Sequence, residues 1–67
     1  SARHTFNFIC AYATINTPIK YAVQEHIFWL IKGISYNHII ISEARINKNI
    51  ITFPCTDGQI SARYYFE

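Results

Sequence analysis

The stretch from Thr17 to Gly33 constrains this chain most, because it is the only segment with both the length and the punctuation of a helix. Thr17 can accept a backbone hydrogen bond as N-cap, Pro18 suits the first helical position, and Gly33 can take the C-terminal cap. At about 100° per residue, Ile19, Val23, His26, Ile27 and Leu30 share one stripe, with Ala22 and Trp29 at its margin. The spacing predicts a helix over 17–33 whose stripe faces a core. On the far side Tyr21 and Phe28 fall on one line, with Ile31 and Lys32 beside them and Lys20, Gln24 and Glu25 around them. One sheet cannot cover both sides of a helix. Tyr21, Phe28, Ile31 and Lys32 are therefore the expected partner-binding residues, aromatic anchors within a charged rim. The plainer alternative is scattered surface aromatics, which monomers tolerate singly.

A chain of 67 residues, 51% of them hydrophobic, has room for a single domain, here taken as residues 1–67, and must spend its apolar residues on one core or one interface. Its aliphatic residues are mostly Ile, with no Met, while Asn, Tyr and Phe are frequent; this bias suggests an AT-rich genome, such as that of a mobile element or phage. The six basic residues exceed the four acidic ones but are dispersed along the sequence, without the clustering that marks a nucleic-acid footprint. There is no apolar run of about 18 residues and no secretory leader pattern, so the expectation is a soluble cytoplasmic protein with no membrane contact. Cys10 and Cys55 show no CxxC spacing and read as small buried hydrophobes in a reducing compartment.

Before the central stretch, Thr5 to Thr14 alternate, with Phe6, Phe8, Cys10 and Tyr12 on one face; this predicts a strand after a frayed Ser1–His4. Ile15 to Pro18 turn the chain. After Gly33, a connection to Asn37 leads to a β-branched strand over His38–Ile46. The polar turn Asn47-Lys48-Asn49 joins it to a third strand, Ile50–Phe53, in a hairpin. Pro54 ends that strand or lies on an unpaired edge. The Asp57-Gly58 pair then favours a tight turn before a last strand over Ile60–Phe66. The expected fold is a single α+β domain of order β-α-β-β-β, a mostly antiparallel four-stranded sheet with one helix on one face. In that arrangement Phe6, Phe8, Cys10, Tyr12, Ile60, Ala62, Tyr64 and Phe66 pack against Ile19, Val23, Ile27 and Leu30.

Catalytic constellations are sparse. His4, His26 and His38 have no metal-ligand spacing with one another or with the cysteines, both glycines are used in a cap and a turn, and no cofactor is implied. Cys55 near Asp57 lacks the base that an activated nucleophile needs. The leading expectation is thus a non-enzymatic interaction protein, a homodimer or an inhibitor-like regulator that binds another macromolecule. The alternative is a nucleic-acid-binding module in which Arg45, Lys48, Arg63 and Tyr65 on an open sheet face contact phosphates and stack bases. A toxin-like small ribonuclease using His38 or His26 with Arg63 is the third reading.

Overall fold

Residues 1–13 satisfy two periods at once. Read in steps of two they offer Phe6, Phe8, Cys10 and Tyr12; read at helical spacing they offer Ala2, Phe6, Ile9 and Ala13. The computed structural model, which describes residues 1–66 and only the backbone of Phe66, follows the second period: α1 spans Ala2–Tyr12. The expected strand over 5–14 does not form. Ala2, Ile9 and Ala13 are buried and Phe6 packs beside them, whereas Phe8 and Tyr12 point outward with ring centroids 4.9 Å apart. The first turn of α1 is held by the Ser1 hydroxyl, which accepts from the His4 N–H at 3.2 Å. Asp57, distant in sequence, accepts from the Ala2 N–H at 2.6 Å. Two otherwise unpartnered donors at the helix start are thereby satisfied.

The expected helix over 17–33 is instead a β-hairpin. β1 covers Ile19–Val23 and β2 covers His26–Asn37, paired antiparallel from Ile19↔Leu30 to Val23↔His26. Gln24 and Glu25 turn the chain with φ of 48° and 70°. Two successive positive φ angles match the right-handed twist of a hairpin, though Asn-Gly is the usual sequence for them. The residues that resemble caps have other uses. The Thr17 N–H donates to the Thr14 hydroxyl at 2.9 Å, and the two threonine hydroxyls lie 2.7 Å apart, closing the loop after α1. Gly33 lies under the helix: a Cβ there would meet Cys10 Sγ at 2.8 Å and Phe6 Cε1 at 3.2 Å.

The remainder follows the predicted hairpins, shifted slightly. Residues 38–44 form a loop rather than a strand, and β3 is reduced to Arg45–Asn47. β4 spans Ile50–Cys55 and β5 spans Gly58–Phe66. Thr56 and Asp57 make the turn between them, one residue earlier than the Asp-Gly pair suggests, because Gly58 already pairs with Cys55. Pro54 lies past the last β3–β4 pair, Arg45↔Thr52, as an edge position requires. The sheet runs β1-β2-β5-β4-β3 with every neighbouring pair antiparallel. The class is α+β as expected, but the described residues hold five strands, and the helix comes first.

The register divides the sheet into two chemically distinct faces. On the face that carries α1 lie Phe28, Leu30, Gly33, Ile51, Phe53, Ile60 and Ala62, all but Gly33 buried. Tyr21 stacks on Phe53 with centroids 4.5 Å apart although two strands intervene, so the sheet curves around this core. Of the other residues expected there, Tyr64, Ile19 and Val23 pack partly buried, Ile27 pairs with Ala22 on the opposite face of the sheet, Cys10, Phe8 and Tyr12 are exposed, and the Phe66 side chain lies outside the described residues. Among the described residues no helix is long and apolar enough to cross a membrane. Phe28 and Leu30, 3% and 2% exposed, belong to one core. Phe28→Ala and Leu30→Ala should therefore lower unfolding free energy by comparable amounts, about 2–5 kcal/mol each, in urea titrations.

Candidate functional site

The sequence placed the anchors of an interface at Tyr21 and Phe28, and the structure moves both into the core. Phe28 lies edge-on to Tyr64 with centroids 5.1 Å apart, and Tyr21 is half-buried against Phe53, where burial raises its hydroxyl pKa above the usual tyrosine value. The line that Tyr21 and Phe28 would form on a helix does not exist in a hairpin, where the two are cross-strand partners. Ile31 is half-buried as the extra residue of a bulge in β2, between Leu30↔Tyr64 and Lys32↔Arg63. Lys32 alone of the four remains a surface group.

The bulge brings Lys32 to the face of the sheet away from α1. Cross-strand pairing builds that face in rows. The first row is Lys20, Trp29 and Tyr65. The second is Lys32, Arg63, Ile50 and Asn47. The third is Ser35, Ser61, Thr52 and Arg45, tied by a 2.7 Å hydrogen bond between the Ser61 and Thr52 hydroxyls. No residue of these rows is buried. Trp29 and Tyr65 lie nearly parallel, 19° apart with centroids at 6.4 Å, and Tyr65 is 44% exposed.

Four of the six basic residues thus lie on one face, although they are scattered in the sequence. Among the described residues no carboxylate shares that face or pairs with them: Glu25 is in the β1–β2 turn, Glu43 in the loop before β3, and Asp57 in the β4–β5 turn. Lys32 and Arg63 occupy directly opposed positions, so two like charges rise from paired backbone sites on this exposed face. Of the sequence-derived set, Arg45, Arg63 and Tyr65 come together here. Lys48 does not lie in these rows; it occupies the β3–β4 turn with φ 58°, and its carbonyl accepts from the Tyr64 hydroxyl at 3.1 Å. Lys20, Trp29 and Lys32 are additions that the helical reading of 17–33 concealed, and period-two alternation through Lys20-Tyr21-Ala22-Val23 was the signal for them.

The other polar cluster is structural. His38 Nδ1 lies 3.0 Å from the Asp57 carbonyl and 3.9 Å from its carboxylate, and Cys55 Sγ lies 3.8 Å from Asp57 Oδ1. That same Oδ1 accepts the Ala2 N–H, so the carboxylate serves the start of α1. His38 and His26 do not join Arg63: His38 stands by the β4–β5 turn, and His26 lies with Val23 on the opposite side of the sheet from Arg63. Among the described residues no group of three or more His, Cys, Asp and Glu could hold a metal ion. No family model matches the chain, and neither curated proteins nor solved structures give a match.

The Ala2 N–H hydrogen bond, opposed by partial desolvation and aided by nearby positive charge, holds the Asp57 carboxyl below the usual carboxylate range. A depressed folded value means that the stabilisation is present above the unfolded pKa of about 3.9 and is lost as pH falls through the folded one. Urea midpoints from pH 6 to pH 2 should show this acid loss in the parent chain. The difference between the parent and Asp57→Asn should shrink across the same window.

Proposed function

We propose that the protein binds single-stranded nucleic acid on the helix-free face of its sheet. The observation that carries the reading is the row Lys20-Trp29-Tyr65 lying next to the opposed cations Lys32 and Arg63. Aromatic faces stack bases without regard to sequence, and adjacent cations neutralise the phosphates between them. Lys32 and Arg63 repel each other in the free protein, and an anion between them relieves that repulsion. Arg45 extends the cationic track along the third row, where the Ser and Thr hydroxyls offer donors and acceptors to sugars or base edges. A single strand fits better than a duplex because the stacking rings need unpaired bases.

Trp29 is the single tryptophan, so its fluorescence reports the site directly. A single-stranded oligonucleotide should quench it saturably at low salt, a duplex of equal length should do so less, and affinity should fall steeply as salt rises. Lys32→Gln should reduce the salt slope by about 0.7 while raising the stability of the free protein by about 0.2–1 kcal/mol. Failure of any oligonucleotide to quench at low salt defeats the reading.

A second reading, self-association, keeps the expected homodimer but moves its surface to α1. Phe8, Tyr12 and Ile15 are 49%, 64% and 67% exposed and follow one another at helical spacing on the outer side of α1 and just past its end. This is the kind of apolar stripe that interfaces use. Sedimentation of the parent chain should then show a concentration-dependent dimer that Tyr12→Lys reduces to monomer without loss of folding. A parent chain that stays monomeric at high concentration removes this reading.

A further inference from the structure

The short helix leaves one end of the core face uncovered. α1 has 11 residues and lies over Gly33, and the part of the face beside the β1–β2 turn is bordered, among the described residues, by Ser42, Glu43 and Ala44 of the loop and by Ile46 and Pro54. A cavity of about 270 Å³ remains there, walled by Tyr21, Val23, Phe28 and Ile51, with Ser42 and Glu43 at its rim. Ligand pockets for drug-sized molecules run from about 300 to 1,000 Å³, so this one suits a single ring or a short branched chain. Its charge is opposite to that of the sheet's other face. Glu43 is a lining carboxylate that pairs with no described cation, Glu25 stands in the adjoining turn, His26 contributes an imidazole, and among the described residues no Lys or Arg lines the cavity.

We infer that this cavity is a binding site for a small organic cation, an ammonium carried on an apolar body. The body replaces water against Val23, Phe28 and Ile51, and the ammonium rests between the Tyr21 ring and the Glu43 carboxylate. Aromatic rings attract cations through their negative faces, and a nearby carboxylate adds to that attraction. An anion of the same shape is rejected by Glu43 and Glu25. The site is on the opposite side of the sheet from Lys32, Arg63 and Tyr65, so it stands or falls apart from the nucleic-acid reading.

The test is a titration of the full chain, labelled with nitrogen-15, by benzylammonium, benzyl alcohol and benzoate at pH 8, read by amide chemical shifts. Benzylammonium should give saturable shifts centred on Val23, Phe28, Glu43 and Ile51, and should bind roughly five- to tenfold tighter than benzyl alcohol, with benzoate weakest. Glu43 is exposed in a loop, so Glu43→Gln should fold normally and cut the ammonium's advantage over the alcohol to the smaller preference that the Tyr21 ring alone supplies. Equal binding of all three probes, shifts centred elsewhere, no saturable shift, or an ammonium preference left undiminished by Glu43→Gln would each overturn the assignment.

Discussion

The contact on which this small fold depends is the seat of α1 on the dent made by Gly33 and Ala62. These two residues face each other across β2 and β5, and together they remove the side-chain volume that would hold the helix off the sheet. Phe6, Ile9 and Cys10 descend into that space, close enough that even a Cβ on Gly33 would crowd them. A helix of this length has little stability in water by itself and forms because one face is buried. Asp57 joins the two layers a second time by capping α1 from the β4–β5 turn. That turn depends in part on Gly58, whose missing side chain makes room for the Asn37 backbone.

The two sheet faces have been assigned different chemistry by register alone. Helix, aliphatics and edge-packed rings occupy one; cations, hydroxyls and the Trp29–Tyr65 pair occupy the other. Because strand neighbours alternate, two of the outward cations are flanked by inward core residues: Lys20 lies between Ile19 and Tyr21, and Arg63 between Ala62 and Tyr64. Core packing thereby fixes the positions of the surface charges.

Much of the second half of the fold was legible in the sequence, and much of the first half was not, for identifiable reasons. Asn47-Lys48-Asn49 and the Asp57-Gly58 neighbourhood are turn chemistry of the ordinary kind, and the runs flanking them did become strands β4 and β5. Gln24-Glu25 carries no such mark. Both are good helix formers, yet both adopt positive φ, so the turn is imposed by the pairing of its flanks. Val23, Ile27 and Leu30 fit helical spacing as well as strand pairing, and Thr17, Pro18 and Gly33 completed the false outline with real but differently used cap residues. In the first thirteen residues the aromatic alternation outweighs a narrower stripe that includes two alanines. The candidate site was half visible for the same reason: Arg45, Arg63 and Tyr65 lie in or beside strands that were recognisable, whereas Lys20, Trp29 and Lys32 lie in the hairpin that was not.

Ten residues of β2, Phe28–Asn37, run against eight of β5, Gln59–Phe66, and the surplus is taken up at the bulges that contain Ile31 and Ile34. A bulge residue has no partner across the ladder, so removing Ile31 or Ile34 would leave every cross-strand pair in β2 and β5 formally intact. Loss of a paired residue beside a bulge can be made good in the same way, by Ile31 or Ile34 moving into the vacant ladder position, whereas a loss in the bulge-free stretch of β1 would turn the residues beyond it to the opposite face. The chain's tolerance of changes in length should therefore be lower along β1 than along β2. Related sequences that differ in length there can be expected to differ at Ile31 and Ile34, and in how strongly their sheets bend.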